Sequence, residues 1–221
     1  IGERAATRHE GYDDSSAVAA RRYRFCLLYR RISTANRGGG TRPQMLEQAR
    51  VLIFGDSNTS DYFRAAADEE GDDDLANGLV GQVHVERYDG LALRDELFPL
   101  LFTTALHDGG STIPYDIVLL SIGSNDLGGC SVFARDEMQE LLRNDYLKLK
   151  RCFGNEFGEH SRLFIVGPLA PDIDTDGMET ADGVHFTRET RVVIGRRATE
   201  LVAAKQASFA AALRHRQSFD R

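Results

Sequence analysis

The stretch VLIFGDSNTS, residues 51–60, joins an apolar run to a polar turn. The run before Gly55 has the composition of a buried β-strand, and the residues after it are turn formers. Ser57 therefore has two interpretations: a nucleophile held at the end of a strand, or part of the cap of a following helix. Taken alone, the tripeptide Gly-Asp-Ser favours the cap. The choice depends on whether the chain also supplies a base, an orienting carboxylate and oxyanion donors.

From residue 50 onward, short apolar segments alternate with longer segments of helical periodicity. The predicted strands are residues 51–54, 82–86, 116–122 and 163–166. The predicted helices are residues 91–107, with a kink at Pro99, residues 133–153 and residues 188–213. This alternation predicts an α/β fold, a three-layer α/β/α sandwich with a parallel, flavodoxin-like sheet. In such sheets, sites form at the carboxyl ends of the strands, where the strand order reverses.

Glycine, asparagine and aspartate follow the second and third predicted strands. Gly90 lets the backbone approach a ligand closely, and Asn125 can point its amide at an oxyanion. Asp126, in the same short motif as Gly123, can cap the next segment or brace the loop. All of these residue types are also routine in turns, so each motif is ambiguous by itself.

The residues DGVH, 182–185, stand directly before the last predicted helix. A three-residue offset across a tight turn can bring the Asp182 carboxylate to Nδ1 of His185. That contact fixes the tautomer and leaves Nε2 free to accept a proton from a serine. The alternative interpretation makes Asp182 a cap and His185 a half-buried polar contact.

These motifs follow one another at successive strand ends: GDS at 55–57, Gly90, GSND at 123–126 and DGVH at 182–185. Their succession resembles the SGNH hydrolases, also called the GDSL-like esterase/lipase superfamily, over roughly residues 50–213. The first, third and last motifs match well. The second matches only through Gly90, and Asn58 replaces the leucine of the GDSL name.

The resemblance implies a role for each matching residue. Ser57 is the nucleophile, His185 is the general base and then the acid, and Asp182 orients His185. The Ser57 N–H, the Gly90 N–H and the Asn125 side chain form the oxyanion hole, and no metal or cofactor is required. The supporting residues are Gly55, which permits the sharp exit from the strand, Asp56, which holds the turn, and Gly123 and Asp126 of the third motif.

The sequence departs from the family pattern before the last motif. The family usually places another helix and strand between the fourth strand and the DxxH loop. Here residues 166–171 run almost directly into residues 172–177, which leaves no room for that pair. We therefore expect a sheet without its last strand and a less supported loop around His185.

The leading hypothesis is a serine esterase that hydrolyses small-molecule carboxylic esters through an acyl-enzyme. An acyltransferase would use the same triad to move the acyl group to a sugar or another alcohol. A non-catalytic binding module on the same fold is a third hypothesis, distinguished by whether His185 Nε2 reaches Ser57. A flavodoxin-like phosphate binder, with residues 57–60 around an anion, would leave Asp182 and His185 without a purpose.

The composition narrows the choice of partners. The 221-residue chain has a formal net charge of −7, which argues against a general nucleic-acid binder. No apolar run approaches the ~20 residues of a membrane-spanning helix. The three cysteines, Cys26, Cys130 and Cys152, lack CxxC spacing, so a reducing compartment is the simpler expectation.

Residues 1–48 differ in composition from the remainder. Between residues 15 and 46 there are seven arginines and no acidic residue. We predict a basic, flexible extension over residues 1–48 and a hydrolase-like domain over residues 49–221. The cytoplasm is the favoured location, and organellar targeting by the arginine-rich segment is the alternative. The sequence leaves the oligomeric state open.

Overall fold

The strands of the protein form one parallel sheet. A computed structural model describes residues 49–70, 80–107, 115–128, 134–157 and 162–219. In these residues the sheet has the order β2-β1-β3-β4-β5. The strands are β1 (Ala49–Gly55), β2 (Val80–Arg87), β3 (Ile117–Ser121), β4 (Arg162–Gly167) and β5 (Ile173–Asp174). The predicted parallel, flavodoxin-like sheet is confirmed, and its strand order reverses between β1 and β3.

Helices cover both faces of this sheet. They are α1 (Tyr62–Glu70), α2 (Phe98–His107), α3 (Ser124–Gly128), α4 (Arg135–Phe157) and α5 (Arg188–Phe219). The side chains of β1 alternate between two cores because successive strand residues point to opposite faces. Ile53 packs in the core that contains Tyr62 of α1, and Phe54 packs in the core that contains Phe102 and Tyr146. The three-layer α/β/α architecture is therefore confirmed.

The first long helix is shorter than its periodicity predicts. We expected a helix over residues 91–107 with a kink at Pro99, but α2 begins at Phe98. Pro99 lies in the first turn, where its missing N–H costs nothing. Residues 91–97 do not continue the helix, and the Asp126 carboxylate accepts the N–H groups of Leu93 and Arg94, at 2.8 and 3.2 Å. Those N–H groups are therefore held by a distant side chain.

The predicted apolar face of that segment is also partly wrong. Leu97 and Leu100 are each 57% exposed. The inward side of α2 is instead formed by Phe98, Phe102 and Ala105, all fully buried. The two phenylalanine rings stack with their centroids 5.5 Å apart. The other two predicted helices are confirmed, although α4 and α5 both extend further than expected.

The sheet has a fifth and last strand, β5, which is very short. We expected it to be missing; β5 has two residues, and Val166 pairs with Ile173 and Gly167 with Asp174. The connection from β4 is too short for the helix that usually joins parallel strands. The Asp172 carboxylate in this connection accepts the Ile165 N–H at 2.9 Å, and so satisfies a strand N–H of β4.

Several expectations concern residues outside the described ranges. The extension over residues 1–48 lies outside them, as do Cys26 and Cys130, so the division of the chain at residue 48 stays a prediction. Cys152 lies on α4 and is partly buried. Within the described ranges, no helix combines the length and apolarity that crossing a membrane requires.

Candidate active site

The turn after β1 presents Ser57 at the carboxyl end of the central strand. Asp56 organises this turn: its carboxylate accepts the Asn58 N–H at 2.9 Å and its carbonyl accepts the Thr59 N–H at 3.0 Å. The Asp56 N–H donates to the Ser121 carbonyl at 3.0 Å, which ties the turn to β3. Ser57 is 8% exposed, so this residue is almost fully buried.

Ser57 does not begin a helix, and the expectation that it would is wrong. Helix α1 begins five positions later, at Tyr62. The carboxylate of Asp61 accepts the Arg64 N–H at 3.1 Å and so caps that helix. The N–H groups of Asn58 and Thr59 bind Asp56, and the chain from Ser57 to Asp61 is not helical. This removes the cap as an explanation for Ser57.

Gly55 allows the strand and the turn to approach β3. A Cβ at this position would lie 1.7 Å from the Ser121 carbonyl oxygen, so no residue but glycine fits without displacing backbone. The Gly55 carbonyl also accepts the Tyr88 N–H at 2.9 Å, which joins the nucleophile turn to the turn after β2. The supporting role of Gly55 in the site stays a prediction.

The DGVH loop forms the contact that its spacing predicts. Asp182 Oδ2 lies 2.6 Å from His185 Nδ1. Asp182 Oδ1 accepts the N–H groups of His185 and Val184 at 2.7 and 3.0 Å, and Gly183 adopts a φ of +84° to close the turn. The hydrogen bonds from His185, backbone and side chain, together with that from Val184, hold the pKa of Asp182 well below its usual value. Asp182 is therefore a carboxylate at neutral pH, and a carboxylate beside Nδ1 favours the tautomer of His185 that carries its proton on Nδ1.

The candidate oxyanion donors lie at the next two strand ends. Asn125 Nδ2 donates to the Leu91 carbonyl at 2.9 Å, which places this side chain beside Gly90. In the part of the chain that the structure describes, its second N–H has no acceptor. Gly90 has a φ of +78° in a turn closed by the Leu91 N–H and the Tyr88 carbonyl at 3.1 Å. Among the described residues, the backbone N–H groups of Ser57 and Gly90 have no hydrogen-bond acceptor.

The third motif is built around glycine and tyrosine. Gly123 has a φ of +114°, and a Cβ there would lie 2.0 Å from the Tyr146 hydroxyl. That hydroxyl donates to the Ile122 carbonyl at 2.7 Å. Asp126 braces the loop after Gly90 through its bonds to Leu93 and Arg94, and burial raises its pKa. Of the two predicted roles for Asp126, bracing the loop is the one that this geometry supports.

Asp56 is electrostatically unusual. Burial raises the pKa of this carboxyl to about 6, against the opposing effect of the Asn58 N–H. Asp126 raises the pKa further, whereas His185 and Arg87 lower it. The Oδ2 atom of Asp56 is buried and has no hydrogen-bond partner among the described residues.

One expected contact is not made. Within the described part of the chain, no hydrogen bond joins Ser57 to His185. The two motifs are instead joined by Asn58, whose amide bonds to the residues on both sides of His185 at 3.1 and 2.9 Å. Sequence reasoning assigned Asn58 no role. The sequence contained one signal for this role: Asn58 stands where the GDSL motif has its leucine.

Two further charged residues lie near the candidate base. Arg87, at the end of β2, donates to Asp89 at 2.7 Å, and both side chains are exposed. The Arg87 hydrogen bond holds the pKa of Asp89 below its usual value, and the nearby His185 lowers it further. The surface beside His185 therefore carries a positive charge, on Arg87, and a negative charge, on Asp89. Among the described residues, no three His, Cys, Asp or Glu side chains come together to hold a metal ion.

The solved structures that resemble this chain share little sequence identity with it. One is a carbohydrate acetylesterase from Sinorhizobium meliloti, 19% identical over 71% of this chain and 99% of its own, with a TM-score of 0.42. Another is an acetyl xylan esterase, 18% identical over 70% of this chain and 74% of its own, with a TM-score of 0.31. No protein-family model and no curated protein matches the sequence. Likeness at this level does not define the chemistry of the site.

Proposed function

We propose that the protein is a serine esterase of the SGNH type. The observation that carries the proposal is the hydrogen bond between Asp182 and His185, in a loop that is fastened to the turn bearing Ser57. A buried serine, a histidine with an ionised partner and free backbone N–H groups are the parts that acyl transfer needs. Ser57 does not cap a helix, because α1 begins only at Tyr62.

The first half of the reaction forms an acyl-enzyme. Ser57 Oγ attacks the ester carbonyl carbon while His185 Nε2 takes the hydroxyl proton, and Asp182 stabilises the resulting imidazolium. The negative charge on the carbonyl oxygen is met by the N–H groups of Ser57 and Gly90 and by the free amide N–H of Asn125. Collapse of the tetrahedral intermediate breaks the bond to the alcohol, which leaves with the proton from His185.

The second half releases the acid. Water enters, His185 removes its proton, and the resulting nucleophile attacks the acyl carbon. The same N–H groups hold the second oxyanion, and collapse returns the proton to Ser57. An alcohol that takes the place of water would make the protein an acyltransferase with the same residues in the same roles.

A second candidate function rests on the missing contact between Ser57 and His185. Without that hydrogen bond the fold would bind an ester or an anion and not turn it over. Catalytic hydrogen bonds are often long before substrate binds and tighten in the complex, so the separation does not by itself favour the non-catalytic module over the enzyme. Turnover decides between the two.

The test is hydrolysis of p-nitrophenyl acetate, followed by hydrolysis of an acetylated carbohydrate. We expect turnover by the parent chain and a fall of about 10⁴-fold or more in kcat for Ser57→Ala and for His185→Ala. Ser60→Ala and His84→Ala are matched controls that should retain full activity. Ser60 Oγ has no hydrogen-bond partner among the described residues, and His84 lies on β2 beside Glu86.

The outcomes separate the candidates. A well-folded parent that binds short esters without turnover would establish the binding module and end the esterase proposal. Activity that survives in Ser57→Ala would assign the reaction to another nucleophile. Loss of activity in both controls as well would show that the assay reports folding and not the triad.

A further inference from the structure

Asn58 joins the nucleophile turn to the loop of the candidate base. Its Oδ1 accepts the Phe186 N–H at 2.9 Å, and its Nδ2 donates to the Val184 carbonyl at 3.1 Å. These two residues flank His185. Asn58 is 1% exposed, so water does not compete for its amide. One side chain next to Ser57 therefore holds the backbone immediately before and after His185.

The loop of His185 is otherwise bonded mainly to itself. The Ala181 N–H donates to the His185 carbonyl at 2.8 Å, and the Asp182 carboxylate binds groups of the same turn. Within the described ranges, no side chain from outside residues 179–191 other than Asn58 hydrogen-bonds to residues 181–187. The Phe186 ring is buried in the core that contains β1, but apolar burial is non-directional.

Asn58 is itself held firmly. Its N–H donates to Asp56 Oδ1 at 2.9 Å, and its carbonyl accepts the Tyr62 hydroxyl at 2.8 Å. That hydroxyl is also 2.8 Å from Ser121 Oγ, so the contact reaches β3. The Asn58 backbone is therefore bonded to Asp56, directly after β1, and to Tyr62 of α1, which in turn contacts β3. A side chain on a backbone held in this way can fix the position of a loop that lacks such supports.

We propose that Asn58 is a positioning residue that sets where His185 stands relative to Ser57. The inference rests on the proposed esterase function and deepens it. The segment from β4 to His185 contains a two-residue strand and no helix, so the loop needs an anchor from elsewhere. Leucine at position 58 offers neither a donor nor an acceptor. Aspartate keeps the acceptor for the Phe186 N–H but has no donor for the Val184 carbonyl.

The experiment compares Asn58→Leu and Asn58→Asp with Asn144→Leu. Asn144 is an exposed asparagine on α4 whose amide bonds to Glu140, and it serves as the matched control. Three kinetic quantities are measured for each variant: kcat for p-nitrophenyl acetate, KM for the same ester, and the rate at which Ser57 reacts with a fluorophosphonate. Amide hydrogen exchange of residues 181–187, followed by mass spectrometry, reports the loop without reference to activity.

We expect kcat of Asn58→Leu to fall about 100-fold with KM unchanged, because a small displacement of a base costs about that much. The fluorophosphonate rate should fall in parallel, Asn58→Asp should lie between the parent and Asn58→Leu, and exchange in the loop should accelerate. A role limited to folding would lower the fraction of protein that reacts and leave the rate per reactive molecule unchanged. Asn58→Asp carries the same comparison if Asn58→Leu does not fold.

The inference and the proposed function fail in different ways. Unchanged kcat and unchanged exchange in both Asn58 variants, with an active parent, would overturn the positioning role and leave the esterase standing. An inactive parent in which the exchange difference persists would remove the esterase and retain Asn58 as the anchor of the loop.

Discussion

The buried Asp56 makes the stability of the protein depend on pH in a direction opposite to that of most carboxylates. Burial raises its pKa from 3.8 to about 6, because the folded chain disfavours the ionised form. The folded state therefore binds a proton more tightly than the unfolded state. The stabilisation from that proton is fully present below pH 3.8 and is lost as the pH rises through about 6.

The pKa difference sets the size of the effect. A difference of about 2 pH units corresponds to about 3 kcal/mol, at 1.36 kcal/mol per unit. Asp56→Asn cannot ionise, and its Oδ1 can still accept the Asn58 N–H. We therefore expect the variant to gain about 2 kcal/mol relative to the parent between pH 4 and pH 8, whatever their difference at pH 4, because the unfolded carboxyl is already more than half ionised at pH 4.

Urea denaturation of both proteins at half-unit steps from pH 4 to pH 8 measures this gain. Asp136→Asn makes the same chemical change at an exposed position of α4 and is the matched control. The reasoning is refuted if the free energies of unfolding of Asp56→Asn and the parent run parallel across this range. Parallel curves would mean that water or a shift of the turn solvates the ionised Asp56 carboxylate.

Three further predictions concern packing near the site, each measured by urea denaturation. Gly123→Ala should lower the free energy of unfolding by about 3 kcal/mol or more, because Gly123 has a positive φ and the new Cβ would clash with the Tyr146 hydroxyl. The loss should be smaller in a protein that already carries Tyr146→Phe. Tyr146→Phe alone should cost about 1–3 kcal/mol, because the buried Ile122 carbonyl loses its donor. Phe98→Ala should cost about 3–5 kcal/mol, whereas Leu97→Ala, at an exposed position, should cost about 0.5 kcal/mol or less. Equal costs at these two neighbours would contradict the observed start of α2.

Local patterns were enough to predict the sheet and most of its helices. The apolar run of β1 is buried on both faces, and such a run reads as a central strand without knowledge of its partners. The contact between Asp182 and His185 spans three residues, so its geometry is also contained in the local sequence. The order of the motifs then placed the site at the carboxyl ends of the strands.

What the sequence did not reveal depends on contacts between distant residues. Residues 91–97 have helical periodicity, but they are not helical, and the N–H groups of Leu93 and Arg94 bind Asp126, more than thirty positions away. Asn58 acquires its role from the backbone of Val184 and Phe186, more than 120 positions away. A two-residue strand such as β5 is too short to leave any periodicity.

Because β5 is so short, we expect the protein to lose activity on heating before the whole domain unfolds. A two-residue strand contributes few ladder hydrogen bonds, and segments with such sparse support open at a lower free energy than the body of a domain. We expect the segment that carries Asp182 and His185 to detach while the centre of the sheet, between β1 and β3, remains folded. Activity and circular dichroism recorded on one heated sample would then fall at different temperatures. On cooling, the molecule would need only to redock one segment, so that thermal inactivation is reversible below the temperature of global unfolding.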